Sequence, residues 1–239
     1  MSHVQNLQSF DKVIRICTGL GGSYNPGQQN LQVYAMSAKL NIAQQIWEEV
    51  KAAQQAYDNA TNARELGFRH IRKLSSNVYG LLKACGANPL LLKDALNSKR
   101  RIWGARISKP PVETPDTPEA EKQDERPSYS RAYSVTAEYF DRLVKTVASE
   151  SRYQPNEPHL SLPGLHATLL ELFALNKAVQ EAETRLDEAR SKRNNVYYVA
   201  PDNLVSTALA VKTYVRSVFG FQSQEHQLMQ KIRFTKPEV

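Results

Sequence analysis

The sequence predicts an all-α protein: an elongated helical bundle built from two tandem, pseudo-twofold-related copies with long coiled-coil-like helices. Three observations predict it. Glycine and proline number only 10 and 12 in 239 residues, too few for an all-β chain, which needs a turn signal about every 8–12 residues. An apolar ladder reads Met36, Leu40, Ala43, Ile46, Val50, Ala53, Tyr57 and Ala60, and returns 129 residues later as Leu165, Leu169, Leu172, Leu175, Val179, Ala182, Leu186 and Ala189. Its steps of three and four residues lie on one face of a helix. Matching marks bracket both ladders. Phe10-Asp11-Lys12-Val13-Ile14 and Phe140-Asp141-Arg142-Leu143-Val144 open them, and Tyr24-Asn25-Pro26 and Tyr153-Gln154-Pro155 follow. Arg106-Ile107-Ser108-Lys109-Pro110 and Arg233-Phe234-Thr235-Lys236-Pro237 close them.

The elements follow in order. A short helix is predicted over 4–17 and its partner over 134–149, each followed by an irregular segment, 19–30 and 150–163. Long helices are predicted from 32 to at least 64 and from 163 to 196. In the first copy the ladder continues through Leu74, Val78, Leu81 and Cys85, which allows one helix of about 50 residues, near 75 Å long. Gly67 and Ser75-Ser76 are the places for a bend. Gly86 ends that stretch, and Pro89 opens a helix to Trp103. In the second copy Pro201 forces a break, Asp202 is the expected N-cap of a helix over 203–219, and Gly220 its stop. A shorter helix is expected near 223–231.

Residues 1–109 are therefore read as helical copy one, 110–130 as a linker and 131–239 as helical copy two. One amphipathic layer cannot hide its own stripe, so the copies are expected to pack as one body. Two separate small bundles are the other solution. Trp47 is expected between the copies, and Asn176, its counterpart, as a register-fixing polar group or a surface residue.

Charge narrows the function classes. The chain carries +7 overall. From Pro110 to Ser128 there are six acids and two bases, net −4, which leaves +11 for the rest. Five prolines in that stretch forbid regular helix and little in it is apolar, so it reads as a tether. Thr114 and Thr117, each preceding a proline, make docking or modification there the other reading.

No apolar run approaches the ~20 residues of a membrane helix, and the N-terminus shows no signal-peptide pattern. The two cysteines, Cys17 and Cys85, fit a reducing compartment as small buried residues. The expectation is a cytoplasmic protein with no transmembrane segment.

The catalytic classes find little support. The five histidines lack ligand spacing. Gly19-Leu20-Gly21-Gly22-Ser23 lacks the lysine and the preceding strand of a phosphate loop and reads as a turn. No serine or cysteine has a recognisable base partner. The acids Glu48-Glu49 and Glu181, Glu183, Asp187 and Glu188 lie off the ladder. Neither an enzyme nor a cofactor is expected.

The basic residues remain. Arg69, Arg72, Lys73, Lys99, Arg100, Arg101 and Arg106 in copy one, and Lys192, Arg193, Lys212 and Arg216 in copy two, are the candidate partner contacts. Phe68, Trp103, Tyr197, Tyr198, Tyr214 and Phe234 interleave with them. Cations beside aromatics grip phosphates and stack on unpaired bases, although runs of this kind also merely solubilise a helix. The favoured expectation is a non-catalytic scaffold or adaptor that presents a basic surface to a protein partner. Nucleic-acid binding by the same surface comes second, and a membrane-surface or pore-forming helical protein third. A homo-oligomer is allowed.

Tyr153-Gln154-Pro155-Asn156-Glu157, the ladder, the segment Val211-Lys212-Thr213-Tyr214-Val215-Arg216-Ser217-Val218-Phe219-Gly220 and the terminal Phe234-Thr235-Lys236-Pro237 carry a resemblance. The chain resembles an uncharacterised family of internally duplicated helical proteins of Bacteroidota-like bacteria. The resemblance covers most of the chain and implies the duplicated helical fold. It brings no activity with it. Copy one departs most, with Leu81-Leu82-Lys83-Ala84-Cys85-Gly86 in place of the aromatic-rich segment.

Overall fold

A computed structural model describes residues 2–104 and 133–235. The acidic stretch, Thr114, Thr117 and Arg106 lie outside them. Among the described residues the chain is all-helical. The helices are α1 (Ser2–Gly19), α2 (Val33–Phe68), α3 (Ile71–Ala84), α4 (Pro89–Trp103), α5 (Tyr133–Ala148), α6 (Leu162–Asn194), α7 (Leu204–Phe219) and α8 (Gln224–Gln230), with short 3-10 turns at Gly21–Ser23 and Gln29–Leu31. No helix among these residues is long and apolar enough to cross a membrane.

The chain separates into two compact units. The first comprises Met1–Tyr57 and Ala182–Val239, the second Asp58–Glu181. Each takes residues from both sides of the Pro-rich stretch, and the division falls within α2 and α6. In the first unit Phe10, Val13, Met36 and Ala43 pack with Tyr197, Leu204, Ala208, Val211, Val215 and Met229 in one core. Tyr197 is fully buried, and its hydroxyl donates to the Ala43 carbonyl at 3.0 Å. In the second unit Ile71, Val78, Leu82, Ala95 and Ile102 pack with Phe140, Leu143, Val144, Val147, Leu165 and Leu172. Burial of side chains of this size stabilises each core by roughly 1.5–3 kcal/mol apiece.

The same local devices recur. The Tyr24 hydroxyl donates to the Leu31 carbonyl at 2.7 Å, and the Tyr153 hydroxyl donates to the Leu160 carbonyl at 2.9 Å. Asp11 pairs with Arg15, and Asp141 with Lys145, both one helical turn apart. The ladder faces inward in both runs: Met36, Leu40, Ala43 and Val50 are buried, as are Leu165, Leu169, Leu172 and Val179.

Three details refine or correct the sequence reading. The stretch through Leu74 and Val78 is not one helix of about 50 residues, because α2 ends at Phe68 and α3 starts at Ile71. The bend lies beside Gly67, where a Cβ would meet the Leu175 Cδ1 atom at 2.3 Å. The Leu175 methyl is the movable end of a side chain, and glycine weakens the helix at this point. Ser75-Ser76 stays helical, the Ser75 hydroxyl donating back to the Arg72 carbonyl at 2.7 Å.

The N-cap of α7 is Asn203, not Asp202. The Asn203 side-chain oxygen accepts from the Ser206 N–H at 2.7 Å. Asp202 instead accepts from Asn30, and its carbonyl accepts from Lys39. A π-helical turn, Asn195–Val199, precedes this cap and seats Tyr197 in the core. The apolar pattern alone does not distinguish that turn from α-helix.

Trp47 lies half-buried against the core of the first unit, its ring 6.1 Å from that of His3. Asn176 is half-buried, and its Oδ1 has no hydrogen-bond partner among the described residues.

Candidate functional site

The candidate surface is the α3–α4 hairpin of the second unit. Ile71, Leu74, Val78 and Leu82 recur at helical spacing and bury one face of α3. Gly86 turns the chain at φ +71°, a left-handed conformation that costs a side-chain-bearing residue. Asn88 then caps α4, its side-chain oxygen accepting from the Leu90 N–H at 2.9 Å, with Pro89 in the first turn. Ala95, Ser98 and Ile102 bury one face of α4. Its last turn carries Arg100 and Arg101, where the negative end of the helix dipole favours cations.

Trp103 ties the two arms together. Its indole N–H donates to the Arg72 carbonyl at 3.0 Å and to the Ser76 hydroxyl at 3.1 Å. This puts the end of α4 beside the start of α3. Arg100 and Arg101 thus share one end of the hairpin with Arg69, Arg72 and Lys73. Trp103 remains 48% exposed there. From Arg69 to Gly104 the only acid is Asp94, against Arg69, Arg72, Lys73, Lys83, Lys93, Lys99, Arg100 and Arg101.

Arg69, Arg72, Lys73 and Arg100 are exposed and make no ion pair among the described residues. Lys99 is half-buried over the Tyr79 ring at 5.1 Å. Arg101 and Arg142 lie over Tyr139 at 5.8 and 5.1 Å. Exposed like charges gathered at one end of the hairpin repel each other and attract a polyanion.

A polar knot braces the turn end. Glu150 is buried, and its carboxylate accepts from Arg152 Nε at 2.9 Å and Arg152 Nη2 at 3.0 Å. The Arg152 guanidinium and backbone N–H, with help from the Asn88 N–H, hold its carboxyl down at about 2.

The candidate cations of the first unit are placed differently. Lys212 Nζ donates to the Ile232 carbonyl and lies 5.5 Å over the Phe234 ring, and burial pulls its pKa down. Arg193 donates to the Asn194 side-chain oxygen at 3.2 and 2.8 Å, and burial lowers its pKa too. Arg216 is exposed but lies 5.2 Å over the Phe221 ring. Lys192 is exposed.

The sequence reading names the hairpin cations and Trp103. It does not assign Tyr139, Arg142 or Glu150 to the surface; they come from α5 and the turn after it. No periodicity in the sequence announces an aromatic flanked by cations from two helices.

Both cysteines are free thiols. Cys17 is buried, and desolvation pushes its thiol up to about 11. Among the described residues no three His, Cys, Asp or Glu side chains converge as metal ligands do.

No protein-family model, no curated protein and no solved structure matches the chain.

Proposed function

We propose that the protein is a non-catalytic helical scaffold or adaptor that presents the basic end of the α3–α4 hairpin to an anionic partner protein. The observation that carries this reading is the group Arg69, Arg72, Lys73 and Arg100, exposed and without an acid partner among the described residues, held at one end of the hairpin by Trp103. The same reading takes the chain as a tandem duplication working in the cytoplasm. The paired Tyr24 and Tyr153 hydrogen bonds, the twin Asp11–Arg15 and Asp141–Lys145 pairs and the inward ladders support the duplication. The two free thiols are in keeping with the compartment.

Nucleic-acid binding by this surface is the second reading. Trp103, half exposed near Arg69, Arg72, Lys73 and Arg100, favours it, because an indole ring offers a stacking surface to an unpaired base.

The double substitution Arg100→Glu with Arg101→Glu tests both. It is expected to abolish partner retention on a column of the immobilised protein while circular dichroism shows unchanged helix content. Equal retention by the variant would overturn the assignment. Fluorescence anisotropy with labelled single-stranded RNA, duplex RNA and duplex DNA, at about 50 and 200 mM salt, separates the readings. Tight binding that falls steeply with salt promotes the nucleic-acid reading. No binding at the lower salt removes it.

A further inference from the structure

A second surface, in the first unit, has a different chemistry. An open groove of about 420 Å³ runs between α1 and a wall made of α8 and the segment that follows it. Its apolar lining is Ile16, Leu228 and Ile232, and cations stand on both rims: Lys12 and Arg15 from α1, Lys231 and Arg233 from the opposite wall. Asp11 answers Arg15 at 2.7 Å. Lys12, Lys231 and Arg233 make no ion pair among the described residues.

The wall opposite α1 has no regular structure over residues 232–235. Here side chains hold it. The Ser9 hydroxyl donates to the Arg233 carbonyl at 2.9 Å. Asn6, itself buried, donates to the Thr235 carbonyl at 2.7 Å and accepts from the Thr235 N–H at 3.0 Å. Lys212 donates to the Ile232 carbonyl. The groove is thereby preformed, which lowers the ordering cost of binding.

We propose that this groove docks an acidic amphipathic helix of a partner protein, with apolar side chains set against Leu228 and Ile232 and carboxylates on both sides of that stripe facing the two rims. Charge complementarity selects this occupant. Cations on two opposed rims around an apolar lining call for an apolar stripe with acids on both flanks, the pattern of an amphipathic helix seated in a groove. A single-headed amphiphile would answer one rim and leave the other unpaired. A nucleic-acid backbone would answer the cations and leave the aliphatic lining uncovered. The inference goes beyond the hairpin reading, because it concerns another unit and another set of residues.

The test uses the full chain and a fluorescein-labelled synthetic peptide of about four helical turns, leucine-striped with glutamates on both flanks. Two control peptides have the same composition without an amphipathic face, or lysine in place of glutamate. Anisotropy is expected to show micromolar binding of the first peptide and binding about tenfold weaker or more for both controls. Lys12→Glu with Lys231→Glu is expected to weaken binding at least about tenfold. Leu228→Ser, at a position already 43% exposed, is expected to weaken it with helix content unchanged. Arg100→Glu with Arg101→Glu is expected to leave the affinity within about twofold, so failure here and failure of the hairpin reading are distinguishable.

Each of these outcomes would overturn the proposal: no binding of the acidic peptide, equal binding of the control without an amphipathic face, or a loss in the hairpin variant as large as in the groove variant.

Discussion

Some cations of the first unit are used in the opposite way to those of the hairpin in the second. In the first, Lys39, Lys212 and Arg193 are half-buried, and burial lowers the pKa of each. Lys39 and Lys212 donate to backbone carbonyls and so hold the turn before α7 and the wall beside α1. In the second unit Arg69, Arg72, Lys73 and Arg100 stand in solvent. There the brace is an acid, Glu150. The difference teaches that a basic residue in a sequence is not yet a basic surface. A desolvated cation that donates to a carbonyl is part of the scaffold, and only one left exposed and unpaired is offered to a partner.

The comparison breaks most sharply at Gly164. A Cβ there would meet the Pro158 carbonyl oxygen at 2.0 Å, with further backbone at 3.1 and 3.2 Å. Backbone cannot step aside as a side-chain end does. Gly164→Ala is therefore expected to destabilise the second unit by about 3 kcal/mol, measured by urea unfolding. The corresponding residue of the first ladder is Ala35, and Ala35→Gly should cost only about 1 kcal/mol of helix propensity. Equal losses would mean that the first turns of α2 and α6 are packed alike.

Asn6→Ala comes next. It removes both hydrogen bonds to Thr235 and is expected to cost about 2 kcal/mol. The loss should be local, with faster amide exchange at Thr235 and no change at residues 71–103. Unchanged exchange at Thr235 would show that the clasp does not hold the wall.

Tyr24→Phe and Tyr153→Phe sharpen the likeness between the units. Each leaves one buried carbonyl without its hydroxyl donor, and each is expected to cost about 1 kcal/mol. Costs that differ widely in chemical denaturation would show that the two tyrosines are not structural equivalents.

Glu150→Gln is the smallest effect and has a pH signature. The carboxyl of Glu150 titrates near 2 in the fold, below its ordinary 4.5. An acid depressed in this way stabilises the fold above its unfolded pKa, and that stabilisation is lost as pH falls from about 4.5 through 2. Thermal melts of wild type and Glu150→Gln should therefore differ at neutral pH and converge toward pH 2. A constant gap would sink the assignment.

Much of the fold was legible locally. Gly86 and Gly220 end their helices at positive φ, Pro89 opens α4, and the ladder residues face inward. Of the hairpin site, the cations and Trp103 could be read as charge and aromatic content. Their grouping could not, because it depends on an indole N–H reaching a carbonyl 31 residues earlier in the chain. Nor could the removal of Lys212 and Arg193 from the available surface. The charge of a side chain is written in the sequence, whereas its desolvation is set by neighbours that are not.

The sequence by itself determined where most helices start and stop and which face of each is apolar, because caps, glycine turns and a 3.6-residue period act over a few residues. Only the tertiary structure decided which segments share a core: Phe10 and Met36 with Val211 and Met229, Ile71 and Ile102 with Phe140 and Leu165. It also decided between Gly67 and Ser75-Ser76 as the place where the helix breaks, and which cations the described residues leave without an ion pair. The physical reason is common to all three. Burial, close approach and hydrogen-bond satisfaction are settled between segments far apart in the chain, and an amphipathic face carries no label naming the face it will meet.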